Sequence, residues 1–176
     1  MSAPDALLHA GHHGAPGIPG VTLTERRPTL HQVAARRGAA FGMPAPGRSA
    51  PMWGGAALGL APGTAMLVGG ARPELPTAAA AVVDLSDGFA VLRLSGPASA
   101  EVLARICRLD LHEGAFPPGA CARTPVAQMP AILHRVGPAG FDLLVPATFA
   151  HSLVHALLTA AAPFGCATLP PERDPA

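Results

Sequence analysis

Apolar and polar positions recur with two different periods along this chain, and each change of period marks an element. Val21 and Leu23 alternate with Thr22 and Thr24 in a short extended segment. Beyond Pro28, the positions of Leu30, Val33, Ala34 and Phe41 fall near one face of a helix, so the pattern predicts a helix over residues 29–41. A Pro/Gly-rich loop over 42–51 follows. Residues 53–60 and 64–68 then read as a hairpin around Ala61-Pro62-Gly63.

The second half carries cleaner signals. Residues 79–85 read as a strand, and in 89–94 Ala90, Leu92 and Leu94 share one face while Phe89, Val91 and Arg93 share the other. Ser86-Asp87-Gly88 between them has the chemistry of a hairpin turn. Ser95-Gly96-Pro97 stops the second strand and opens a helix that Ser95 is placed to cap, with Ser99, Leu103, Ile106 and Cys107 as its buried stripe. After a loop over 112–120, residues 126–136 and 141–145 form a hairpin around Gly137-Pro138-Ala139-Gly140. Phe149, Leu153, Leu157 and Ala160 mark a last helix that ends near Pro163 and Gly165.

This order implies an α+β fold of two small half-domains, mainly antiparallel sheet with packed helices. The halves are expected at about 21–76 and 77–168 within a single domain over 21–168, with flexible tails at 1–20 and 169–176. At 176 residues the chain can bury a substantial core.

Composition narrows the function classes. Only 13% of residues are charged, against roughly 25% in an average domain, so part of the apolar surface is expected to face a partner. The net charge is +1 and the basic residues come in pairs at most, which excludes the footprint of a nucleic-acid binder. All twelve cations are arginine, which excludes a Schiff-base lysine and a Walker-type phosphate loop. Cys107, Cys121 and Cys166 form no C-x-x-C pair, so neither a zinc knuckle nor a disulfide framework is expected. The start lacks signal-peptide character and no run approaches the ~20 apolar residues of a membrane span, so a cytoplasmic setting is expected, without membrane.

The candidate chemical groups all have a plainer role. His9, His12 and His13 lie in the expected tail. His151 and His155 at i, i+4 would share a helix face, as in a metal site, yet lack the glutamate and third ligand of H-E-x-x-H. Asp84 and Asp87 bracket a turn that needs such residues itself. Cys107 and His112 suggest a thiol nucleophile, but Cys107 sits on an apolar stripe. No G-x-G-x-x-G occurs. No catalytic, cofactor-binding or metal residue is therefore assigned.

The stretch Val83-Asp84-Leu85-Ser86-Asp87-Gly88-Phe89-Ala90-Val91-Leu92-Arg93-Leu94-Ser95-Gly96-Pro97-Ala98 resembles the Asp-x-Ser … Leu-Ser-Gly-Pro-Asp-Ala signature. Glycine-cleavage aminomethyltransferases (T-proteins), related folate-binding proteins and the gamma subunits of heterotetrameric sarcosine oxidase share that signature. Leu109-Asp110-Leu111-His112, Phe116-Pro117-Pro118-Gly119, Phe141-Asp142-Leu143-Leu144-Val145-Pro146 and Phe149-Ala150-His151-Ser152-Leu153 together resemble the gamma-subunit pattern, over about residues 25–168. T-proteins carry a Gly-Gly-x-x-Asp-Asp segment at the folate site, where this chain reads Gln128-Met129-Pro130-Ala131-Ile132-Leu133. The carboxylates are gone, and with them the acceptors that would position a pterin or a reacting amine.

The resemblance implies the aminomethyltransferase (folate-binding) fold and a non-catalytic gamma subunit with an assembly or stabilising role. Its partners would be alpha, beta and delta subunits holding FAD, FMN, NAD and tetrahydrofolate. Those subunits would oxidise sarcosine to glycine, with tetrahydrofolate as one-carbon acceptor and peroxide formed, and this chain would carry no cofactor. The alternative is a stand-alone folate-binding module related to the T-proteins.

Overall fold

The computed structural model describes residues 6–37, 39 and 41–172. Strands are numbered along the chain. Five form one antiparallel sheet: β3 (Leu30–Ala35), β4 (Ser49–Met52), β5 (Gly55–Ala61), β6 (Thr64–Val68) and β7 (Ala80–Asp84), in the order β4-β5-β6-β3-β7. Seven form a larger sheet, in the order β1-β12-β2-β8-β11-β10-β9. They are β1 (Gly11–His13), β2 (Val21–Arg26), β8 (Phe89–Ser95), β9 (Cys121–Val126), β10 (Met129–Gly137), β11 (Gly140–Pro146) and β12 (Cys166–Glu172). Among the described residues, only β12 and β2 pair in parallel. The helices are α1 (Ser99–Ala104) and α2 (Ala150–Ala161), the latter flanked by 3-10 turns.

The large sheet is covered on both faces. On one, Leu23, Leu94, Leu133, Phe141 and Leu143 pack with Leu103, Leu153 and Leu157 of the helical segments. On the other, Val91, Ile132 and Leu144 pack with Leu30, Leu58 and Met66 of the small sheet. Burial on both faces explains why β11 is an almost unbroken apolar run rather than an alternating one. The small sheet's outer face buries Ala57, Ala65 and Leu67 beneath Met43, Met52 and Trp53. The α+β architecture agrees with the sequence reading, as do the hairpins around 61–63 and 137–140.

Several local expectations are corrected. Residues 30–35 of the expected 29–41 helix form β3, because β6 and β7 flank it on either side and satisfy its backbone hydrogen bonds. Positions 38 and 40 lie outside the described residues. Ser86-Asp87-Gly88 is a turn but not a hairpin: β7 pairs with β3 and β8 with β2 and β11, so the chain crosses here between sheets. The Ser86 hydroxyl accepts from the Leu30 backbone N–H at 2.9 Å and ties this crossing to β3. β4 arises from the end of the expected 42–51 loop, β9 from the unassigned stretch between the 112–120 loop and the strand expected from 126, and β12 from the end of the expected domain and the tail after it. The region of the expected N-terminal tail supplies β1, which pairs with β12, while 1–5 and 173–176 lie outside the described residues. The sheets also interleave across the expected boundary at 76, since β2 joins β8–β12 and β7 joins β3–β6. The stretch Ala147–Phe164 meets the length and apolarity of a membrane span, contrary to expectation. Its Leu153, Leu157 and Ala161 are nonetheless buried in the protein core.

Ser95 does not cap α1, whose N-cap is Ala98 without a side-chain bond. The Ser-Gly-Pro element has another purpose. Gly96 adopts φ +120° where the chain passes the 20–21 segment, and a Cβ there would lie 2.6 Å from the Gly20 carbonyl oxygen. We expect Gly96→Ala to cost roughly 2–4 kcal/mol in urea unfolding, combining backbone strain with a clash against backbone. Gly137→Ala, which meets nothing within 4 Å, should stay within about 0.5 kcal/mol of the parent.

Candidate functional site

A row of residues crosses the large sheet on the face turned to the small sheet: Thr24, Arg93, Asp142, His134 and Cys121, each opposite the next in strand register. Strand alternation sends all five to that face, together with Val91, Leu144 and Ile132 two residues along. One part of the inter-sheet layer is therefore apolar and the other charged.

Asp142 is the centre of the charged part and is 1% exposed. Its Oδ1 accepts from Arg93 Nε at 2.7 Å, and its Oδ2 accepts from Arg93 Nη2 and from Arg26 Nη1, both at 2.8 Å. The Arg93 contact is a planar two-point pair that lysine could not make. Beside it, His134 is buried and bonded to Ser49 Oγ at 3.0 Å. The Ser49 hydroxyl gives its one hydrogen to the Gly119 carbonyl at 2.9 Å, so it accepts from His134 Nε2–H. That fixes the neutral tautomer of His134, with the lone pair on Nδ1. Burial holds the His134 pKa below the ordinary histidine value; Asp142 pulls the other way, and Arg93 and Arg26 add to the lowering.

Arg26, Arg93, His134, Asp142 and Ser49 line a cavity of about 390 Å³. The arrangement joins β2, β8, β10, β11 and β4 by charge and hydrogen bonds. Both carboxylate oxygens of Asp142 are committed to guanidinium groups, which makes it a charge partner rather than a base directed at a substrate. A second cavity, about 410 Å³, opens elsewhere on the inter-sheet layer and is lined mainly by Met66, Phe89, Ile132 and prolines, with Gln32 and Arg123.

The residues weighed from sequence are not brought together. His151 and His155 are exposed on α2, and no group of three or more metal-ligating side chains occurs among the described residues. Asp84 accepts from the Ser86 backbone N–H and hydroxyl at 2.9 and 2.7 Å, bonds that lower its pKa and give it the turn role. Asp87 is exposed. Cys107 is buried with its Sγ 3.9 Å from Thr124 Oγ1, while exposed His112 accepts from the Gly114 N–H through Nδ1. Burial pushes the Cys166 thiol up to about 11 and raises that of Cys121, so neither is a ready nucleophile. His12 and His13 bond to the Ala15 carbonyl and to Thr168 Oγ1, and His9 is exposed. Gln128 sits with Ala127 in a tight turn of positive φ, and residues 129–133 lie in β10 without a carboxylate. Sequence reasoning missed Arg26, Arg93, His134 and Asp142. The available signal was a charge inside an apolar strand, as in Phe141-Asp142-Leu143.

Residues 66–169 match the family described as GCVT N-terminal domain. The sarcosine oxidase gamma subunits of Corynebacterium sp. (strain U-96) and of Arthrobacter sp. are each 38% identical, over 86 and 88 residues. Those matches take in 49% and 50% of this chain, and 42% and 43% of the relatives, so the aligned stretch spans about two fifths of the curated chains. A chain of the heterotetrameric sarcosine oxidase from Corynebacterium sp. U-96, solved with pyrrole 2-carboxylate, superposes with TM-score 0.74 at 30% identity. That superposition covers 86% of this chain and 88% of that one. Aminomethyltransferase T of the glycine cleavage system from Bartonella henselae shares the fold, with TM-score 0.56 at 18% identity over 87% of this chain and 48% of that one.

Two outcomes test the cluster. Asp142→Asn leaves two guanidiniums facing each other without the carboxylate, and we expect a loss of about 2–4 kcal/mol in urea unfolding, tempered because the Arg93 side chain is 30% exposed. The depressed His134 pKa means that the unfolded chain takes up this proton first as pH falls below 6.5. Its stabilising contribution is complete above that pH and declines below it. Unfolding midpoints measured between about pH 7 and 5 should fall more steeply for the parent than for His134→Gln.

Proposed function

We propose, from the premise that this chain belongs to the GCVT N-terminal domain family and is similar to sarcosine oxidase gamma subunits, that it is a non-catalytic gamma subunit of a heterotetrameric sarcosine oxidase-like complex. The observation that carries this reading is the agreement of nearly the whole chain with one chain of that heterotetramer. Its role is assembly and stabilisation. Alpha, beta and delta subunits hold FAD, FMN, NAD and tetrahydrofolate and oxidise sarcosine to glycine with peroxide formed, in the cytoplasm.

The geometry supports this division of labour. Two carboxylates are buried among the described residues, and both are neutralised within the fold, Asp142 by Arg26 and Arg93 and Glu25 by Arg27. The segment that carries acids in T-proteins is here a tight turn and an apolar strand. No buried carboxylate faces a cavity without a cation on it among the described residues, and the cavity group able to take a proton, His134, is tied to Ser49.

A second reading, a stand-alone folate-binding module, draws on the cavity of about 410 Å³, whose size and apolar lining suit a small molecule. Titration calorimetry of the purified chain with tetrahydrofolate separates the two. We expect no heat of binding at micromolar concentration; clear micromolar affinity would favour the folate module and remove the premise of a cofactor-free subunit.

A further inference from the structure

The cavity lined by Met66, Phe89 and Ile132 has a neighbour. A second hollow of about 320 Å³ lies between the end of α1 and the turn after β9, and the two share Pro125. β9 is the edge strand of the large sheet, and exposed Pro125 has no N–H to offer another strand. The Cys107–Val126 bridge brings the segment after α1 against this strand end. Arg105 and Arg108 therefore stand on one side of Pro125 and Arg123 on the other.

All three arginines are exposed, and none of their guanidinium groups has an ion pair or hydrogen bond among the described residues. The adjacent carboxylates do not answer them. Asp110 accepts from the His112 backbone N–H, and Glu101, one helical turn before Arg105, forms no ion pair. In a chain of net charge +1, three cations and no carboxylate line the two hollows around their apolar floor. Charged residues usually ring an interface while its centre is apolar. Here the ring is of one sign only, so the complementary surface must be acidic.

We infer that the strip centred on Pro125 is a docking surface for a partner chain, which lays a segment there with apolar side chains in the hollows and carboxylates against Arg105, Arg108 and Arg123. The inference rests on the subunit reading and identifies which face meets the rest of the complex. The two hollows lie on either side of one strand end, which suits a length of polypeptide better than a single compact molecule.

The test is a co-expression of the full chain with the large subunits of a sarcosine oxidase complex, comparing the parent with R105E/R108E/R123E and with R37E/R48E as a control on other exposed arginines. An unchanged thermal midpoint of the isolated triple variant verifies that it folds. We expect the parent and the control to co-purify in the complex, and recovery of the triple variant to drop about tenfold or more. Equal recovery of parent and triple variant overturns the docking surface while leaving the subunit reading intact. Failure of the parent to co-purify overturns both. A parent chain that is dimeric by light scattering, with a monomeric triple variant, assigns the strip to a second copy and also overturns the proposed partner.

Discussion

Asp142 carries a negative charge into the middle of a layer that is otherwise apolar, and the fold is arranged so that this charge is met at once. Arg93 lies directly opposite it on β8 and Arg26 reaches it from β2, so three strands are held in one register by the same carboxylate. A one-residue slip of any of them would send its charge to the helix-covered face, where Leu23, Leu94 and Phe141 are fully buried. Such clusters add little net stability over an apolar replacement; their stronger effect is to penalise the wrong register. His134 extends the arrangement through Ser49 to the small sheet and to the 112–120 loop.

A buried arginine plays a similar part on the opposite face. Arg135 donates to the carbonyls of Leu111, Phe116, Gly137 and Pro138, with its guanidinium 5.3 Å from the Phe141 ring centroid. It thereby fixes an irregular loop that has no strand or helix to satisfy its carbonyls. In both cases arginine supplies several directed hydrogen bonds from one side chain. The buried Asp142, His134 and Arg135 are thus occupied with holding the fold together, whereas His31 Nδ1 and Ser99 Oγ are buried without a hydrogen bond.

Much of the fold was legible where hydrophobic patterning is local. The 61–63 and 137–140 hairpins and α2 were identified from their turn residues and their apolar stripe. The failures have tertiary causes. Leu30 and Val33 suit a helix by spacing, but β6 and β7 offered strand partners on both sides, and pairing overrode period. β9 contains Arg123, Thr124 and Pro125, a composition typical of edge strands, whose pattern is weak because one side faces solvent. β12 and β1 exist because each pairs with strands far away in sequence. The charged cluster was hidden for the same reason: Arg26, Arg93, His134 and Asp142 are scattered over more than a hundred positions, and only register gathers them. The Ser-Gly-Pro element was recognised as a signature, while its physical reason, a close chain crossing at Gly96, needed three dimensions.

In the proposed gamma-subunit role this chain contributes structure and no reacting group, and His134 is the side chain best placed to do otherwise. Among the described residues it is a neutral base facing a cavity of the inter-sheet layer, with Nδ1 unprotonated. The decisive measurement is the turnover of sarcosine to peroxide, per bound flavin, by the assembled complex carrying His134→Gln. The account predicts kcat within about twofold of the parent, as for a residue outside the chemistry. A loss of about a hundredfold in kcat, with the complex intact and KM unchanged, is the signature of a missing general acid or base and would contradict it.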